Sequence, residues 1–186
     1  MAIILVPPSA EPLSLGEAKA LLRVEHNDDD AAITSLIVAA RGHVEALTRR
    51  ALLLQTWRIV RDAWPADGRV KLRTGPVRSV IAARVFDATG TAHAIDVQRF
   101  VVNEAAGVIA SPEWALPSPG RGTAGIELDV ELGYGPLATD VPEPLRHAVR
   151  MILAHWYDNR GAVASGATLL PAGAAGLVAP YRTLSL

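Results

Sequence analysis

The chain has 186 residues, half of them hydrophobic, which is enough for one well-cored domain or a core with a sizeable insertion. Its formal net charge is -1 with 20% charged residues, a balance that argues against a dedicated nucleic-acid binder. Cysteine is absent, so disulfides, thiolate metal sites and a cysteine nucleophile are excluded.

The opening "MAIILVPPSAEP" has a short apolar run that prolines interrupt, without the basic flank of an export signal. Nothing approaches the roughly 20 apolar residues of a membrane span, so a soluble protein with no membrane partner is expected. "SLGEAKALLRV" carries Ser14 and Glu17 at the spacing of a capping box, and predicts a short helix from about 14 to 22. In the next segment Ile33, Leu36, Ile37, Ala40, Val44 and Leu47 recur at helical spacing. Asp28, Asp29 and Asp30 precede that stripe, and Arg49 and Arg50 follow it, each sign matching the helix dipole. Three aspartates could also hold a cation, but calcium loops need more ligands at set spacing and a glycine turn, so capping is the preferred reading.

The period then shortens to two. "TWRIVRDAWP" alternates as a strand, and "VRSVIAARVFDATGTAHAI" predicts two strands around the turn at "DATG". "RFVVNEAAGVIAS" adds two short strands. In "GIELDVELGYG", Ile126, Leu128, Val130 and Leu132 alternate with Glu127, Asp129 and Glu131, which predicts a half-buried antiparallel strand with a charged outer face. Helix returns after "VPEP": Leu145, Ala148, Val149, Ile152 and Trp156 form one stripe, and Gly161 is a suitable stop. The fold class is therefore α+β. A small helical bundle from both chain ends (1–55 and 136–161) accepts an inserted antiparallel β module (56–135), and 162–186 form a C-terminal tail.

Chemistry is sparse. His147 and His155 are about 12 Å apart along a helix, too far to share a metal, and His155 with Asp158 lacks a third ligand. No nucleophile elbow, phosphate loop, dinucleotide fingerprint or zinc-protease motif occurs, so no catalytic residue, metal or cofactor is assigned. The densest polar stretch is "HWYDNRG". Its plainest reading is a helix C-terminus with Trp156 buried and Asn159 and Arg160 bonding the last carbonyls. A second is a contact with a neighbouring subunit through His155, Tyr157, Asp158 and Arg160. A hydrolase using His155 and Asp158, or a β-module binder stacking ligand on Trp64 and Trp114, are the alternatives of other classes. The tail holds Leu169, Leu170, Leu177, Val178, Tyr181, Leu184 and Leu186 in a Gly/Ala-rich setting, with Arg182 as a polar anchor. Such a segment needs either its own core or a partner chain to order it.

Two stretches together resemble a known family. They are "LSLGEAKALLRVEHNDDDAAITSLIVAARGHVEALTRRALLLQTW" and "VPEPLRHAVRMILAHWYDNRGAV", and the likeness rests on Ser14, Glu17, Ala18, Lys19, Arg50, Leu52, Gln55, Thr56, Trp57, His155, Trp156, Tyr157, Asn159 and Arg160. They resemble the head–tail connector (adaptor) proteins of long-tailed bacteriophages and of gene transfer agents, over nearly the whole chain but loosely in the β block. The resemblance implies a structural, non-catalytic subunit of a homo-oligomeric, commonly dodecameric ring. In that family the C-terminal segment engages the portal protein, which here points to Leu169, Leu170, Leu177, Val178, Tyr181, Arg182, Leu184 and Leu186. The other face receives a stopper or tail-terminator protein, and DNA passes through the lumen without sequence-specific binding. The implied location is the head–tail junction of a virion or gene transfer agent particle, after synthesis in the bacterial cytoplasm.

Overall fold

A computed structural model describes residues 1–104, 106–111, 116–159 and 171–183. The chain divides into two compact units, one of Met1–Ser9 with Leu54–Gly133 and one of Ala10–Leu53 with Tyr134–Leu186.

The second unit is helical. Helix α1 (Leu15–Leu22) starts where the capping box predicts: Ser14 Oγ accepts from the Glu17 amide at 3.2 Å, and the Ser14 amide donates to the Glu17 carboxylate at 2.8 Å. Donation to that carboxylate from the Ser14 amide and hydroxyl holds it below its usual range. Helix α2 (Asp30–Thr48) presents the expected stripe, with Ile33, Ile37, Ala40 and Val44 buried and Leu36 and Leu47 packed beside them. Both helices end on arginine rather than glycine, Arg23 and Arg49 taking left-handed backbone at φ 57° and 55°. Helix α3 (Glu143–Asp158) buries Leu145, Ala148, Val149, Ile152 and Leu153, and α4 (Ala172–Val178) adds Ala174 and Val178 to the same core. Each fully buried aliphatic side chain of Val or larger contributes about 1.5–3 kcal/mol of transfer free energy, which offsets the entropy of ordering four short helices. Helix α3 ends on Asn159, its side-chain Nδ2 donating to the His155 carbonyl at 2.8 Å, and the expected stop at Gly161 lies outside the described residues.

The first unit is two antiparallel sheets. The larger has the order β1 (Ala2–Val6), β2 (Gln55–Arg61), β8 (Ile126–Leu132), β4 (Val77–Phe86), β5 (Ala92–Ile95). The smaller has the order β3 (Arg69–Lys71), β7 (Val108–Ala110), β6 (Val101–Asn103). The hairpin at "DATG" and the short strands of "RFVVNEAAGVIAS" form as read. Strand β1 does not follow the sequence reading, which assigned residues 1–55 to the helical part: Ala2–Val6 pair with β2 instead.

The central strand is β8. Ile126, Leu128, Val130 and Leu132 are fully buried, as alternation predicts. Its charged face differs from the expectation, because Asp129 is also buried, only 5% exposed. The cause is register: Arg58 on β2 stands opposite Asp129, and Arg84 on β4 stands opposite Glu127. Arg58 grips Asp129 through two bonds of 2.7 and 2.9 Å, and Arg84 adds a third at 2.8 Å. Glu127 lies 3.3 Å from Arg58. Cross-strand charge pairs thus cover what would otherwise be a solvated face.

The hydrogen bonds from Arg58, joined by those from Arg84, hold the Asp129 carboxyl below the usual carboxylate range despite its burial. Removing it strands two arginines that retain partial access to water. Asp129→Ala should therefore lower stability in urea unfolding by about 2–3 kcal/mol. A depressed folded-state pKa stabilises above the unfolded value and loses that contribution as pH falls below it. The difference between wild type and variant should shrink as pH is lowered from about 5 toward 3.

Candidate functional site

The residues singled out by sequence fall at two places in the helical unit, the start of α2 with the end of α3, and α4 with the segment after it. At the first, the aspartates before α2 do not cap it. Asp29 occupies the N-cap position without a side-chain cap bond. Its carboxylate accepts instead from Tyr157 Oη at 2.5 Å, while Asp30 accepts from Lys19 Nζ at 2.7 Å. The acidic cluster therefore ties α2 to α3 through a phenol and to α1 through an ammonium. Sequence reading missed both links, since neither spacing nor pattern shows which helix a residue 128 or 11 positions away will meet.

The end of α3 shows what the described residues of "HWYDNRG" touch. Trp156 packs beside the core and meets the His43 ring edge-on, centroids 5.5 Å apart. Tyr157 is half-buried and engaged with Asp29, so its hydroxyl serves the fold of its own chain. His155 is half-buried with its Nδ1 3.3 Å from Asn159 Nδ2, and Asp158 is exposed. Arg160 lies outside the described residues. Among the described residues no three His, Asp or Glu side chains gather to hold a metal. In the β unit, Trp64 donates to the Pro117 carbonyl at 3.0 Å and its ring leans on Phe100, while Trp114 lies outside the described residues.

The tail was read as needing either its own core or a partner, and part of it uses the former. Val178 and Ala174 are fully buried in the helical core, and Leu177 and Tyr181 are half-buried against it. At Gly173, α4 comes close to α3, where an added Cβ would lie 2.7 Å from Met151 Cε, the movable end of that side chain. The segment after α4 is held by backbone: Arg50 Nε donates to the Tyr181 carbonyl at 2.7 Å, and the Thr183 amide donates to the Thr48 carbonyl at 3.2 Å. The same Arg50 reaches the Tyr134 phenol, whose pKa burial raises and Arg50 opposes. Arg182 is exposed. Leu169, Leu170, Leu184 and Leu186 lie outside the described residues.

The arrangement is one of packing and orientation. The family profile of phage gp6-like head-tail connector proteins matches residues 12–86. The likeness to that family covers less than half of the chain. The matched segment runs from just before α1 to the end of β4, so it includes the paired aspartates, the α2 stripe and the strand carrying Arg58. Solved structures extend the likeness beyond it. A chain in the neck of an empty gene transfer agent particle, computed with C6 symmetry, is 28% identical with a TM-score of 0.86, covering 100% of this chain and 97% of that one. A chain in the virion of a native gene transfer agent particle is 26% identical at a TM-score of 0.84, with the same coverage. Another, in the neck of a native particle computed with C12 symmetry, is 26% identical at a TM-score of 0.74, the match covering 98% of this chain and 97% of that one. No curated protein matches the sequence. The α+β class read from the sequence is that of these particle chains.

Because Tyr157 Oη donates to a carboxylate that also marks the start of α2, Tyr157→Phe should destabilise the helical unit by about 1–2 kcal/mol without changing its secondary structure. Thermal unfolding followed by circular dichroism reads both quantities, and an unchanged midpoint would show the link to be dispensable.

Proposed function

We propose that the chain is a structural, non-catalytic subunit of a cyclic ring in the neck of a gene transfer agent or related phage particle. The ring stands between the portal and a stopper or tail-terminator, and DNA passes through it. The observation that carries this reading is the end-to-end likeness to chains from particle necks, at a TM-score of 0.86 over 100% of the chain. The connector family match over residues 12–86 supports it independently. Two features of the chain agree. Its near-neutral charge of -1 gives passing DNA little to adhere to. Among the described residues, ion pairs such as Arg41 with Glu11 and Glu45 orient elements of the fold.

The portal contact is assigned to the C-terminal tail, with a division of labour inside it. Ala174 and Val178 fill their own core, so deleting everything after Gly161 would unfold the helical unit and say nothing about docking. The exposed Arg182, with Leu169, Leu170, Leu184 and Leu186, is left for the portal. His155 and Asp158, on the last turn of α3, are assigned to a subunit contact together with Arg160.

A chain shortened after Thr183, and a second with Leu184→Asp and Leu186→Asp, should keep the wild-type unfolding midpoint. Both should lose at least tenfold in affinity for the cognate portal in co-sedimentation. Unchanged portal binding by both would remove the tail from the portal interface.

A further inference from the structure

Strand β1 is the part of the molecule whose chemistry its own fold leaves unused. It reads Ala-Ile-Ile-Leu-Val, and all five residues are exposed. Ile3 and Leu5 are 40% exposed, Ile4 50% and Val6 56%. It forms one edge of the larger sheet, bonded to β2 on one side only. A lone exposed Leu is ordinary; an uninterrupted apolar strand on a sheet edge is a template for pairing. Edge strands are usually blunted by charged residues or proline. β1 has neither within it, the prolines coming after it as Pro7 and Pro8.

Backbone alternation fixes what the edge offers. The Val60 amide donates to the Met1 carbonyl at 2.9 Å and the Met1 ammonium to the Val60 carbonyl at 3.1 Å. With Ile3 opposite Arg58 in the register, the Ile3 amide turns toward β2, and those of Ala2 and Ile4 turn outward. The opposite edge of the same sheet is β5, Ala-His-Ala-Ile, with Ala92, His93 and Ala94 exposed. It too lacks a lysine, arginine or acidic residue, and His93 is held back by Asp87 at 2.8 Å. The two edges are matched in length, five residues against four, and in charge.

What covers β1 follows from symmetry. Chains of this fold occur in necks computed with C6 and C12 symmetry. Neighbours in a cyclic ring are related by rotation about one axis, so each contact joins two different surfaces of the same chain. We propose that β1 of one copy pairs with β5 of the next, joining the sheets of adjacent subunits through main-chain hydrogen bonds. Every neighbouring pair in the sheet is antiparallel, so β1 and β5 run in the same direction and the contact between copies is parallel. The inference rests on the ring reading of the function.

The absence of cysteine makes the test direct. Within one copy β1 and β5 are separated by four strand spacings, about 19 Å, far beyond the reach of a disulfide. Double variants combining Ala2→Cys, Ile4→Cys or Val6→Cys with Ala92→Cys or Ala94→Cys should be assembled with the cognate portal, purified as necks and oxidised. At least one combination should convert most of the monomer band into a ladder of covalent multimers on non-reducing gels, reversed by dithiothreitol. Either single cysteine should stop at dimer or monomer. Necks that contain the variants at wild-type occupancy but give no ladder in any combination would overturn the β1–β5 contact while leaving the ring intact. A chain that never enters necks would overturn the contact and the ring together.

Discussion

The pairing of β2 with β8 is the constraint on which the rest of the chain depends. Gln55 stands opposite Leu132 and Arg61 opposite Ile126, so the strand that leaves the helical part and the strand that returns to it are neighbours. The chain therefore re-enters beside its point of exit, and the Tyr134 amide reaches the Leu52 carbonyl. Gly133, at φ 117°, makes the turn out of β8 that a side chain would resist, and its amide bonds the Pro76 carbonyl. Helices separated by almost a hundred residues can then share one core. The same pairing sets Arg58 against Asp129, so a single register closes the insertion and neutralises the central strand.

The helical core is correspondingly discontinuous. Ile33, Ile37, Ala40 and Val44 come from one side of the insertion; Val149, Ile152, Leu153 and Val178 come from the other. Polar links reinforce the join at both ends of α2: Tyr157 and Lys19 on the aspartates at its start, and the Thr48 carbonyl accepting from the Thr183 amide at its finish. Arg50 completes the second group by holding the Tyr181 carbonyl. Side chains that in isolation resemble an active site are occupied in registering helices. The proposed role fits such an arrangement, since an interface needs rigid, pre-ordered elements more than reactive groups.

Much of this was legible in the residues. Period-3.6 stripes identified the buried faces of α2 and α3, the capping box located the start of α1, and strict alternation identified β8. These signals are local, and local signals survive tertiary context when the pattern is long. What was not legible depends on partners distant in the chain. Nothing in "NDDD" says that a tyrosine 128 residues later will take Asp29, and alternation alone predicted a wet face where Arg58 and Arg84 bury Asp129. Strand β1 was missed because five consecutive apolar residues have no period to detect. The tail was readable as needing either its own core or a partner chain; the residues alone did not say that Ala174 and Val178 would join the helical core. For the assembly surfaces, residue types narrowed the choice and the family likeness supplied the role.

The central claim is that many copies of this chain act together as one ring. A cryo-electron-microscopy reconstruction of the neck of the particle that contains it, refined first without imposed symmetry, tests this most directly. The account predicts a closed ring of this chain around the DNA path, showing cyclic symmetry and contacting the portal on one side. A neck in which the chain is absent, or present as a lone copy off the axis, would contradict it.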